Sequence, residues 1–250
     1  MVGHQRDCPG AINVVMLGPP GAGKGTQAER LSRTRKLPKI STGDILREGL
    51  KAQLHVAQRA KELMDRGELV DDATMIAIVR ERLTRPDALP GFVLDGFPRT
   101  VAQAEALDRI VAEGNHGPLV IVDVRVPERE LVRRLAGRLI CEKCGANAEP
   151  VKGGEAAAIR CARCGGQLVQ RADDNEKVVR DRLKVYERAT KPLVEFYRHR
   201  PTFRIVNGAQ PQERVAHELD TVVDDAALVG AKQGTPASVK AIASGKAAQA

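Results

Sequence analysis

The 250-residue chain is 42% hydrophobic and 29% charged, the balance of a globular protein that buries one good core with room for small inserted subdomains. No apolar run is long enough to span a bilayer and residues 1–10 lack the apolar stretch of a signal peptide, so the expectation is a cytoplasmic chain with reduced thiols and no membrane partner. The formal net charge of +8 suits nucleic acid, an anionic surface or phosphate-bearing substrates, but at 2% aromatics and no Trp the base-stacking platforms of single-strand binders are missing.

In chain order, residues 1–10 form an extension carrying a lone Cys8. Ile12–Leu17 reads as a buried strand, followed by the loop Gly18-Pro-Pro-Gly-Ala-Gly-Lys-Gly-Thr26 and a helix expected from Thr26 onward, over 27–34. A strand, a glycine-rich loop ending in Lys and a helix together wrap nucleotide phosphates. The glycines permit a tight turn and aim N–H groups inward, Lys24 adds a point charge, and the helix brings its positive end to the same place. Gly25 stands where the general motif has the Ser or Thr that holds Mg²⁺, so the metal would lean on phosphates and water.

Further strands are read at Lys39–Ser41, 92–94, 119–124 and 203–206, and helices at 44–50, 56–66, Asp72–Leu83, 100–113, 176–197 and 211–228. This alternation predicts an α/β fold with a mainly parallel sheet, helices on both faces and the ligand at the carboxyl ends of the strands. Two stretches interrupt it. Residues 41–70 read as a helical insert, and residues 137–174 hold four cysteines with too little apolar sequence for a core. Residues 230–250 are Ala, Gly, Ser, Gln and Lys without periodicity, the pattern of a disordered basic tail. His55, His116, His199 and His217 fall in no motif and are expected at solvated positions.

Cys141-Glu-Lys-Cys144 and Cys161-Ala-Arg-Cys164 are separated by sixteen residues. Two C-x-x-C pairs at this spacing are a zinc signature, and four thiolates close the tetrahedron, so the metal would be structural. Gly145 and Gly165 permit the left-handed turn that points N–H groups at the sulfurs. Disulfides and an Fe–S centre are the weaker alternatives. With four thiolates on one Zn²⁺ the site carries −2 and the net charge falls from +8 to +6.

The chain resembles adenylate kinase over about residues 11–228, in the loop 18–26, in Ile40-Ser-Thr-Gly-Asp-Ile-Leu-Arg47, in Leu94-Asp-Gly-Phe-Pro-Arg-Thr100 and in Gln170-Arg-Ala-Asp-Asp174. The cysteine insert is similar to the long zinc-bearing lid of some bacterial members. The resemblance implies a P-loop three-layer sandwich with a five-stranded parallel sheet. Its core would comprise 11–40, 71–136 and 175–229, with an AMP-binding insert over 41–70 and a lid over 137–174. It implies reversible phosphoryl transfer from Mg-ATP to AMP giving two ADP, by a monomer with Mg²⁺ and a structural Zn²⁺ and no nucleic-acid partner.

The resemblance also distributes roles. Gly21, Ala22, Gly23, Lys24, Gly25 and Thr26 would hold ATP together with Arg134, Arg138 and the backbone at Gln210. Thr42, Arg47, Glu68, Leu69, Val70, Gly96, Phe97, Pro98, Arg99 and Gln103 would hold AMP, with Arg171 and Arg182 serving AMP and the transferring group. Lys24, Arg99, Arg138, Arg171 and Arg182 are the catalytic set, and Asp95 would hold Mg²⁺ through water. The residue types fit independently of the resemblance, because phosphoryl transfer needs charge neutralisation and positioning, and guanidinium forks bridge phosphate oxygens. Asp173 and Asp174 lie where the lid rejoins the core and are expected to pair with arginines when it closes. Asn147-Ala148 departs from the hydroxyl and aromatic pair usual near the ATP adenine in such lids. A UMP/CMP kinase and a zinc-ribbon nucleic-acid module on an NTPase are the rival readings.

Overall fold

The structure is a computed structural model that describes residues 11–51, 55–114, 116–148, 160–170, 174 and 176–233. The calls on the extension 1–10, on Arg171 and Asp173, and on the tail beyond 233 lie outside the described residues.

Five parallel strands form the central sheet: β1 (Ile12–Leu17), β2 (Lys39–Ser41), β3 (Gly91–Asp95), β4 (Leu119–Arg125) and β8 (Phe203–Asn207), in the order β2-β3-β1-β4-β8. Every residue of β1 is buried, as expected of a central parallel strand covered on both faces. Its side chains alternate between two cores. Val14 and Met16 pack with Ala28 and Leu31 of α1 (Lys24–Arg35) and with Val215, Leu219 and Val223 of α9 (Gln212–Gln233). Val15 and Leu17 pack with Met75 and Val79 of α4 (Asp72–Leu83) and Leu107 of α5 (Val101–Glu113). Period-2 alternation in a strand meeting helical stripes on each side gives the three layers the sequence predicts.

The insert 41–70 contains α2 (Thr42–Lys51) and α3 (His55–Asp65), and the chain re-enters the core where Asp71 caps α4 by accepting the Thr74 N–H at 2.9 Å. The lid region adds a separate antiparallel sheet of β5 (Leu139–Cys141), β6 (Asn147–Ala148) and β7 (Leu168–Gln170), in the order β6-β5-β7.

Several elements differ from the sequence expectation. Helix α1 begins at Lys24, so the lysine is on the first helical turn and not on the loop. Helix α6 (Glu128–Ala136) falls where the sequence reading assigns no element. Only Leu131 and Leu135 are buried on it, too few apolar positions for a periodic signal. The single helix expected over 176–197 is α7 (Glu176–Val185), a π-helical turn Tyr186–Thr190 and α8 (Pro192–Tyr197). The Pro192 ring clashes with the carbonyl four residues back in a regular helix. The chain widens instead, and the Lys191 N–H donates to the Tyr186 carbonyl at 2.8 Å. Helix α9 runs to Gln233, past the expected start of the tail. His116, expected in solvent, is buried with its ring edge-on to Phe92 at 5.6 Å, and burial holds its imidazole below the usual value.

Candidate active site

The carboxyl ends of β1, β2 and β3 open into a cleft of 2430 Å³ lined by the glycine loop, both inserted segments, α7 and the turn before α9. Single-ligand pockets run to about 1,000 Å³, so the cleft has room for two nucleotides.

The loop floor is set by backbone geometry. Gly18 has φ 134°, and a Cβ there would sit 2.5 Å from the Val124 carbonyl oxygen, so only glycine lets β1 leave the sheet this close to β4. Lys24 folds back over the loop and donates to the carbonyls of Gly18 and Pro19 at 2.7 and 2.8 Å. Burial pulls its ammonium down to about 8, opposed by Asp95 and assisted by Arg99, Arg182 and Arg138. Those three arginines come from the loop after β3, from α7 and from the start of the lid, so the structure converges what the sequence scatters from Arg99 to Arg182.

At Gly25 a Cβ would lie 3.1 Å from an Asp95 carboxylate oxygen. The carboxylate thus fills the room that a Ser or Thr hydroxyl would take, which fits a Mg²⁺ held through water beside the phosphates. Arg138 forks onto the Asp174 carboxylate at 2.6 and 2.5 Å, and Arg182 reaches the same group at 3.1 Å. Asp174 has no exposed side-chain surface. It pairs two of the expected catalytic arginines at the joint where the lid returns to the core, as the sequence reading anticipates for this residue.

On the other side of the cleft, Arg99 is held at both ends. Its N–H donates to Gln103 Oε1 at 2.8 Å and its Nε donates to the Gly96 carbonyl at 2.9 Å. Gln103 in turn donates to Asp72 Oδ1 at 2.8 Å, and the Thr42 hydroxyl donates to the Gly96 carbonyl at 3.0 Å. Arg47 is paired with Asp44 on its own helix. Glu68, Leu69, Val70, Pro98, Arg47, Thr42, Gly96, Arg99 and Gln103 all line the cleft. Phe97 does not: its ring is wholly buried in the core, and it is joined to Pro98 by a cis peptide bond. Arg134 lines the opposite wall, donating to Glu130 at 2.8 Å and to the Gly208 carbonyl at 2.9 Å. Gln210 beside it turns its side chain to Glu218 at 2.6 Å, as expected if its backbone is what meets a ligand.

Two site residues escape the sequence reading. Asp72 orients Gln103, but in the sequence it is one of two acidic residues starting a helix. Glu130, held by Arg133 and Arg134 and drawn down to about 2 by them, lies on the unanticipated α6.

The four Sγ atoms of Cys141, Cys144, Cys161 and Cys164 lie within 4.8 Å of one another, with Cys141–Cys164 at 3.4 Å and Cys144–Cys161 at 3.7 Å. Metal–sulfur bonds of ~2.3 Å in a tetrahedron put sulfurs about 3.8 Å apart. Gly145 and Gly165 have φ 69° and 68°, and their N–H groups each bond back to the first cysteine carbonyl of their pair at 2.8 Å. The Cys144 N–H reaches Cys141 Sγ at 3.5 Å, and this bond leads in drawing the Cys141 thiol down to about 6, toward thiolate. The donor set suits a structural Zn²⁺.

Comparison with known proteins yields a family model described as adenylate kinase, matching residues 16–202. An adenylate kinase of Archaeoglobus fulgidus is 46% identical over 213 residues, 85% of this chain and 98% of its own length. One from a Geobacillus species is 50% identical over 208 residues, covering 83% and 96%, and one from Desulfitobacterium hafniense is 45% identical over 213 residues, covering 85% and 97%.

Proposed function

The chain belongs to the adenylate kinase family, and from that premise we propose that it transfers a phosphoryl group reversibly from Mg-ATP to AMP, giving two ADP. The observation that carries the reading is the cleft itself, which joins a phosphate-wrapping loop to a second, separately built pocket with cationic groups between them.

Lys24 and the loop N–H groups of residues 21–26 hold the ATP phosphates, with Arg134 and the Gln210 backbone bordering the base. Lys24 leaves the carbonyls of Gly18 and Pro19 for phosphate oxygens, which restore the full charge of its ammonium. Arg99 and Arg47 fix the AMP phosphate, and Thr42, Gln103 and the backbone of 68–70 border its base. Arg138 and Arg182 face the transferring group and take up charge on its equatorial oxygens, an interaction that strengthens in the transition state, and the family resemblance assigns Arg171 to the same task. Asp95 would hold Mg²⁺ through water, and the ion would supply neutralisation of phosphate charge. The four cysteines would hold Zn²⁺, which would supply the lid's folding energy. The inserts 41–70 and 137–174 act as flaps that exclude water, so that phosphate passes to AMP and not to solvent. The described residues include no helix long and apolar enough to cross a membrane. The paired thiols suit a reducing cytoplasm, and the protein works as a monomer.

The test is a coupled assay of ADP from ATP plus AMP, with UMP and CMP in parallel. AMP is expected to be the preferred acceptor, and Lys24→Met to lose most turnover while keeping the fold. Preference for UMP or CMP, or a Lys24→Met variant with more than half the native rate, overturns the assignment.

A further inference from the structure

A line of alternating charge runs from the lid to the acceptor side without touching the phosphate floor. Arg163, in the second zinc knuckle, lies 3.6 Å from Glu29 Oε1 on α1. The other oxygen of Glu29 is 3.5 Å from Lys39 Nζ on β2, and the same Nζ is 3.6 Å from Asp44 Oδ2 on α2. Asp44 holds Arg47 through its remaining oxygen. The order is cation, anion, cation, anion, cation, and each interior group is shared by two neighbours of opposite sign. A cavity of 360 Å³ lined by Glu29, Lys39, Ser41 and Asp44 leaves the side chains room to shift.

We propose that Glu29 is a positioning residue that couples lid closure to the release of Arg47 for the AMP phosphate. The proposal rests on the assignment of Arg47 to AMP. Arg163 already stands 3.6 Å from Glu29 with Lys39 and Arg47 still in their pairs, and a closer approach as the lid shuts neutralises Glu29 further and weakens its hold on Lys39. Lys39 then moves its charge toward Asp44. A compensated Asp44 holds Arg47 less tightly, and the guanidinium is free to take phosphate oxygens. The chain works equally in reverse: AMP draws Arg47 away, Asp44 takes Lys39, and Glu29 is left for Arg163, which favours the closed lid. Such reciprocity is required of any coupling between two binding sites. Lys39 is the pivot. Its side chain is only 17% exposed, so its ammonium is held among these carboxylates more firmly than a surface lysine would be. Glu29 and Arg163 lie farther out, at 36% and 67% exposure, so the effect belongs to the scale of one solvated ion pair.

The experiment is calorimetric titration of AMP into the whole protein, with and without a saturating ATP analogue whose β–γ bridge is an imido group. In the wild type the analogue is expected to tighten AMP. In Glu29→Gln that gain should shrink about threefold, the size of one exposed pair, while AMP binding without the analogue is not weakened. Lys39→Met should lose the same gain. The double variant Glu29→Gln/Arg163→Gln should lose no more than either single change, because both cut one chain. A gain left intact in Glu29→Gln, equal weakening of AMP with and without the analogue, or losses that multiply in the double variant each overturn the relay and leave the substrate assignment standing. A wild type that does not bind AMP at all overturns the assignment and the relay with it.

Discussion

The two inserted segments flank the same cleft but are built by different physics. The insert 41–70 borrows the protein's core: Leu46, Ala60 and Val70 are buried in the cluster that also holds β3 and α4. The lid has nothing comparable. Among the described residues of 137–174 the buried ones are Cys141, Cys161 and Asp174, two expected metal ligands and a paired carboxylate. One flap is folded by apolar burial and inherits the stability of the whole. The other buries little more than its cysteines and one paired carboxylate, and on the function proposed above it is held together by the metal those cysteines would bind and by the Asp174 ion pairs. A segment with three strands of two or three residues cannot gain enough from burial to order itself.

The largest effect expected from this contrast is at the lid joint. Asp174→Asn leaves Arg138 and Arg182 facing each other without the buried carboxylate between them. Breaking a buried pair costs about 3–5 kcal/mol, or roughly 6–20 °C in melting temperature for a chain of this size. ATP affinity should not fall with it, because Arg138 no longer has to leave Asp174 for phosphate. Scanning calorimetry and ATP titration check this pair of outcomes. Parallel losses of stability and ATP binding would mean that Asp174 shapes the site and does not merely neutralise it.

The flaps are next set against each other directly. Leu46→Ala should cost about 2–5 kcal/mol of global stability, as a buried large-to-small change does. Cys161→Ser should release zinc and expose the lid to proteolysis while the cooperative unfolding of the core keeps its midpoint and turnover in the cold stays substantial. Metal analysis of the unaltered protein should find about one zinc per chain. A core that melts with the lid, or a native protein without zinc, breaks the comparison.

Within the acceptor side, Arg99→Lys keeps the charge and loses the fork. Because Gly96 and Gln103 fix Arg99 before AMP arrives, the preorganised donor should be worth about 2–4 kcal/mol of transition-state stabilisation. Steady-state kinetics with AMP varied gives the number, and near-native values would place the AMP site elsewhere.

The smallest effect is a pH dependence. Lys24 titrates at about 8 in the free protein and is held charged by phosphates when ATP is bound. Binding above that pH must therefore take up a proton, so affinity falls as pH rises through 8, by about tenfold between pH 7 and pH 9. Lys24→Arg, which does not titrate there, should give a flat profile over the same range. An unchanged wild-type profile would show that Lys24 is charged throughout.

Motifs with local causes were readable from residue order alone. The glycine loop, the two C-x-x-C pairs and the strand-helix alternation each reflect a backbone turn, a ligand spacing or a side-chain period within a few positions. The adenylate kinase resemblance follows from similarly short runs, such as Asp95-Gly-Phe-Pro-Arg99. Tertiary structure decided everything that depends on a partner distant in the chain. It gave Asp174 both Arg138 and Arg182, set Asp72 behind Gln103, and turned Phe97 into the core while its neighbours line the cleft. It made a helix of residues 128–136 on two apolar contacts and opened a π-helical turn before Pro192. The reason is common to all of these. A local period is set by the geometry of one element, whereas an ion pair, a burial or a widened turn is settled only when a second element closes against the first.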